Sequence, residues 1–104
     1  MRSDCRGRMY YEVDVEGFLA DPAFACCSPA ARGIWTLMIC VAADSPEPNA
    51  VLLPNGAPVL AAGIARLAGE TLEAIKGLLG ELKRAGLILR RDGGGFVCVN
   101  RYFK

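Results

Sequence analysis

AAGIARLAGETLEAIKGLLGELKRAG, residues 61–86, is the stretch on which the fold turns. Its apolar residues Ile64, Leu67, Ala68, Leu72, Ile75, Leu78, Leu79 and Leu82 recur at three- and four-residue spacing, the period of a helix with one buried face. Gly69-Glu70-Thr71 interrupts that period. Glycine reaches the left-handed backbone conformation that ends a helix without a Cβ clash, and a threonine hydroxyl is able to cap a new helix. The spacing therefore predicts two helices joined by a tight turn at Gly69, not one rod. Lys83 and Arg84 fall in the last turn of the second helix, where cations complement the carbonyl end of its dipole, and Gly86 is suited to terminate it.

Working outward, Leu87 to Arg91 reads as a strand, Asp92-Gly93-Gly94-Gly95 as a turn rich in positive-φ residues, and Phe96 to Tyr102 as the returning strand of a hairpin. On the other side, Ala50 to Leu53 is a short strand between the loop Ser45-Pro46-Glu47-Pro48-Asn49 and the turn Pro54-Asn55-Gly56. Ser28-Pro29 starts a long helix reaching about Asp44, with Ala31, Ile34, Trp35, Met38, Val41 and Ala42 at helical spacing and Leu37 and Ile39 widening the stripe. Burial on more than one side makes this the central core helix, with Trp35 a core residue. Asp14 caps a short turn, Val15 to Ala20, whose Phe18 and Leu19 are expected in the core, and Asp21-Pro22 stops it. Residues 1–9 have no periodicity and read as a flexible arm whose bases are able to touch a phosphate backbone, leaving 10–104 as a single domain.

With 53% hydrophobic and 22% charged residues, the 104-residue chain has enough apolar material for one core without metal or disulfide staples. The net charge of +1 hides a polarity along the chain. Three arginines against Asp4 make residues 1–9 +2, Arg32 and Arg66 against six acids make 10–69 −4, and seven bases against four acids make 70–104 +3. Any surface for nucleic acid is expected in the last third. Histidine is absent, and Cys5, Cys26, Cys27, Cys40 and Cys98 include no C-x-x-C pair, so the cysteines read as structural free thiols and no metal or other cofactor is implied. Without a nucleophile motif, a phosphate loop or paired carboxylates, an enzyme is not expected. Ile34 to Ala43 is about half the length that crosses a bilayer, and no signal-peptide core follows Arg2, Arg6 and Arg8, so the expected location is the cytoplasm, with no membrane partner.

Ala65 as the small residue, Gly69 in the turn, and Ile64, Ala68, Ile75 and Leu78 as locking positions resemble the helix-turn-helix pattern. Glu70 departs from it: an acid stands where an apolar residue is usual, implying an exposed turn or a shifted register. With the hairpin behind it, the region resembles winged-helix domains. Asp14…Phe18-Leu19…Asp21, Ser28-Pro29-Ala30-Ala31-Arg32-Gly33-Ile34-Trp35 and Leu52-Leu53…Gly56-Ala57-Pro58 together are similar to the N-terminal domain of phage and prophage replication-initiation proteins. The resemblance implies an α+β, mostly helical fold: a winged helix-turn-helix with a C-terminal β-hairpin wing. It also implies a replication or transcription factor that binds double-stranded DNA, with a homodimer or a replication-protein partner possible for such a module.

In such folds the second helix enters the major groove and the wing follows the backbone. Taking Ile75, Leu78, Leu79 and Leu82 as buried places Glu73, Gly77, Gly80, Glu81 and Arg84 outward, flanked by Lys76 and Lys83. The DNA-contact candidates are Thr71, Glu73, Lys76, Gly77, Gly80, Lys83, Arg84, Arg90 and Arg91. Gly77 and Gly80 leave a smooth strip that suits a DNA backbone or a second helix, whereas two outward glutamates repel phosphate. The alternative is accordingly a protein-interaction or dimerisation module without DNA binding. Plainer readings stand beside both: a solvated helix face, and arginines that protect a hairpin edge from aggregation.

Overall fold

Capping residues set where the helices begin. In the computed structural model, which describes residues 2, 3 and 5–104, strands β1 (Arg2–Ser3) and β2 (Met9–Tyr10) pair antiparallel at the start of the chain. Helix α1 (Val15–Ala20) follows, with the Asp14 carboxylate accepting from the Gly17 N–H. Asp21 caps α2 (Pro22–Ala25) and Ser28 caps α3 (Pro29–Ala42). Next come α4 (Ala61–Ala68), α5 (Leu72–Arg84) capped by Thr71, and the antiparallel hairpin β3 (Ile88–Arg90) and β4 (Phe96–Cys98). The molecule is a compact α+β domain with somewhat less than half of its residues in helices and a small antiparallel hairpin after the last of them.

The chain reverses at Gly69, whose φ of 67° is the left-handed conformation expected there. The Glu70 N–H reaches back to the Ala65 carbonyl at 3.0 Å, closing the end of α4. The end of α5 repeats the device: Gly86 has φ 74°, and the Leu87 N–H bonds the Leu82 carbonyl at 3.0 Å. Helix α3 buries Ala31, Ile34, Trp35, Met38, Ile39 and Ala42, and α4 and α5 pack on it through Ile64, Ala65, Ile75, Leu79 and Leu82. Each fully buried aliphatic side chain stabilises by roughly 1.5–3 kcal/mol, so this centre carries most of the stability. The Trp35 indole N–H donates to the Leu87 carbonyl at 3.0 Å, fastening the hairpin to the core helix. Ala68 and Leu78, expected as locking residues, are half-buried against this core.

Residues 50–52 do not form the full strand expected over Ala50 to Leu53. Ala50 bridges Val97 and Leu52 bridges Pro58. The Val51 N–H bonds the Phe96 carbonyl at 2.9 Å, and the Cys98 N–H bonds the Asn49 carbonyl at 2.8 Å, so the segment adds a one-bridge edge to β4. It stays short because Asn49 takes φ 62° on one side and Pro54 begins a turn on the other. The returning strand, expected to reach Tyr102, ends at Cys98 because Asn100 takes over the backbone of Phe103: its Oδ1 accepts from the Phe103 N–H at 2.9 Å, and its Nδ2 donates to the Phe103 carbonyl at 2.6 Å.

Residues 102–104 instead pair with 12–14. Glu12 and Lys104 exchange backbone hydrogen bonds of 2.7 and 2.8 Å, and the Asp14 N–H bonds the Tyr102 carbonyl at 2.8 Å. This strip lays Phe103 on the aromatic cluster, with ring centroids 5.2 Å from Phe18 and 5.3 Å from Trp35, both edge-on. Leu19, expected in the core with Phe18, is exposed instead: a six-residue helix has room for one inward position, and Phe18 occupies it. Leu67 is also exposed, because its turn of α4 faces away from α3 and α5. Cys27 and Cys98 are buried, whereas Cys5, Cys26 and Cys40 are exposed. Cys40 therefore lies on the outer side of α3.

Candidate nucleic-acid interface

Helix α5 presents Glu73, Lys76, Gly77, Lys83 and Arg84 to solvent along one side, with Thr71 exposed just before its first residue, while Ile75, Leu79 and Leu82 face inward. The Thr71 hydroxyl accepts from the Ala74 N–H at 3.1 Å, so it serves first as the helix cap. Nothing lies within 4 Å of where a Cβ on Gly77 would sit, and that position is a bare part of the helix. Gly80 is different. It is half-buried, and a Cβ there would stand 3.3 Å from the Arg84 guanidinium.

Glu81 is not on the outward face. Its carboxylate turns toward α3, accepting from the Ser28 backbone N–H and, at 3.1 Å, from the Ser28 hydroxyl. Two residues thus cap α3, since the same hydroxyl also accepts from the Ala31 N–H at 3.1 Å. An anion at a helix N-terminus is favoured by the exposed N–H groups and the dipole. One of the two glutamates expected to repel phosphate is therefore spent inside the fold. A periodicity argument within α5 misses this, because the partner of Glu81 lies 53 residues away in sequence.

On the hairpin, neighbouring arginines have different surroundings. Arg91 is clamped: its Nε bonds Glu47 at 2.8 Å, one Nη bonds the other Glu47 oxygen at 3.2 Å, and the second Nη bonds the Gly94 carbonyl at 3.2 Å. The hydrogen bond from Arg91 holds the Glu47 carboxyl below its ordinary pKa. Arg90 is exposed. With Lys83, Arg91, Phe96, Gly94 and Gly95 it lines a recess of about 360 Å³ beside Leu60 and Ala61 at the start of α4. The Lys83 ammonium lies 5.4 Å from the centre of the Phe96 ring, close enough for the ring to hold it over the recess. Leu60 supplies no side-chain cap to α4, so the first-turn N–H groups there have no capping side chain. Sequence reasoning missed this feature. Its signal is an apolar residue where a Ser, Thr, Asp or Asn cap would be expected.

The structure thus brings Lys83, Arg90 and Arg91 to one recess, leaves Glu73, Lys76 and Gly77 along the exposed side of α5 with Thr71 at its start, and sets Arg84 against α2. There Arg84 shares a cleft with Pro22, Ala23, Cys26, Cys27 and Glu81. Among the described residues no cluster of His, Cys, Asp or Glu is arranged to hold a metal ion, and no helix is long and apolar enough to cross a membrane. No family model matches this sequence, and no curated protein or solved structure matches it at a significant level.

Proposed function

We propose that the domain is a winged helix that binds duplex DNA, with α5 in the major groove and the hairpin as the wing. The observation that carries this reading is the order of elements: a core helix, a short edge segment bonded to β4, two helices joined at Gly69, and a hairpin after the second helix. Removal of Glu81 from the outward face supports it further, since Lys76, Lys83 and Arg90 then face fewer acids. Lys83, Arg90 and the uncapped start of α4 supply phosphate contacts, Lys76 and Thr71 approach the bases, and Glu73 accepts from them. The likeness of residues 14–58 to phage replication initiators favours a replication or transcription setting.

Fluorescence anisotropy of a labelled mixed-sequence duplex, titrated at several salt concentrations, tests the reading. Affinity is expected to fall steeply with salt, and Arg90→Ala to reduce the slope by about one. Arg91→Ala has a smaller effect, because Glu47 already holds that guanidinium. A protein that keeps its native melting curve yet shows no duplex binding at low salt overturns the proposal.

A further inference from the structure

A groove of about 560 Å³ opens between α4 and the segment around residues 53–60; it shares the start of α4 at Leu60 with the proposed DNA contacts and uses none of their charged side chains. Its walls are Val41, Leu53, Val59, Leu60 and Leu67, and Arg66 is the one charged side chain in the lining. Leu53, Leu60 and Leu67 are 46%, 53% and 59% exposed, three half-exposed leucines gathered along one groove. Gly63 keeps the floor low: a Cβ there would come within 3.0 Å of the Val59 side chain.

Elsewhere the same molecule carries a ridge of matching chemistry. Val15 and Leu19, four residues apart and so on one face of α1, are 59% and 76% exposed. Glu16 is exposed beside them. The ridge is apolar with an acid at its flank, and the groove is apolar with a base in its lining.

We infer that the chain self-associates head to tail, the α1 ridge of one copy (Val15, Leu19) entering the α4 groove of a second, with Glu16 of one paired to Arg66 of the other. Charge complementarity chooses this occupant, because an isologous contact of groove on groove would set Arg66 against Arg66. Passed on from copy to copy, such a contact grows into rings or chains; made twice around a two-fold axis, it closes a dimer. The inference does not depend on DNA binding.

Sedimentation equilibrium over a wide concentration range tests it, with thermal melts to confirm that each variant folds. The parent protein is expected to associate with rising concentration. Arg66→Glu and Glu16→Arg are each expected to weaken association roughly tenfold or more, since each sets like charges together. An equimolar mixture of the two variants is expected to recover it, because the reversed groove of one accepts the reversed ridge of the other. A parent that stays monomeric, association that survives either reversal, or a mixture that does not recover, each overturns the proposal. A groove occupied instead by an apolar carboxylate such as a fatty acid would appear as the second of these outcomes if association uses another face, and as the first if it does not occur.

Discussion

The helical centre and the strip that closes over it are built on different physics. Helices α3, α4 and α5 with the hairpin are held by buried aliphatic side chains around Trp35, and among the described residues no buried side-chain polar atom lacks a hydrogen-bond partner. The strip, residues 11–24 with 101–104, buries Phe24 and Asp21 and lays Tyr11, Phe18, Tyr102 and Phe103 half-buried against the core. Helix α1 has no buried residue, and the attachment consists of backbone pairing between 12–14 and 102–104, the Tyr11 hydroxyl on the Ile39 carbonyl at 2.8 Å, edge-on aromatic contacts, and Asp21. Asp21 is buried and accepts from the Tyr102 hydroxyl at 2.7 Å and the Ala23 N–H at 2.7 Å, with Arg101 3.7 Å away. Apolar burial is indifferent to pH, whereas the strip adds to its aromatic contacts a few polar ones, among them the carboxylate of Asp21. The strip is the part expected to open first.

The contrast breaks most severely at Trp35→Ala, which removes the residue the two regions share. A loss of about 3–5 kcal/mol is expected in urea unfolding, enough to unfold much of a domain this small. Gly69→Ala probes the centre alone: the left-handed backbone costs a residue with a Cβ about 1–2 kcal/mol, although the space beside Gly69 is open. Gly77→Ala provides the matched control, with equal space and ordinary helical backbone, and should be stabilising by roughly 0.5–1 kcal/mol.

Asp21→Ala sharpens the other side of the comparison, with about 1 kcal/mol lost with the cap of α2. The hydrogen bond from Tyr102, more than the other contacts, holds the Asp21 carboxyl below its ordinary pKa. A depressed carboxyl stabilises the fold above its unfolded pKa of about 3.9, and the contribution disappears as pH falls through the lower folded value. The melting temperature of the parent should therefore drop on acidification below about pH 4 more than that of Asp21→Asn. Smallest of all is Glu47→Ala. It frees Arg91 from an exposed ion pair and should hardly move the melting temperature, yet it should raise DNA affinity by releasing a cation.

The centre was legible in the sequence because its signals are local. Ser28-Pro29, Thr71, Gly69 and Gly86 each act within a few residues of themselves, and all stand where the spacing places them. What stayed hidden depends on partners distant in sequence. Glu81 satisfies the outward period of α5 but is drawn inward by Ser28, and nothing in 71–85 records that. The pairing of 12–14 with 102–104 likewise has no local signature, so Phe96 to Tyr102 reads as one continuous strand until Asn100 is seen to bond Phe103. Of the candidate interface, the side of α5 and the hairpin arginines were legible. The difference between Arg90 and Arg91 was not, because it depends on Glu47 across the fold.

Trp35 is the only tryptophan in the chain, and it lies beneath Phe24 and Phe103 while its indole N–H holds a carbonyl of the hairpin. Its fluorescence is consequently a built-in gauge of the seam between the two regions. Emission that shifts to the red while the far-ultraviolet helix signal holds steady would report the lid peeling back from an intact body, and the two signals moving together would report the whole domain melting at once.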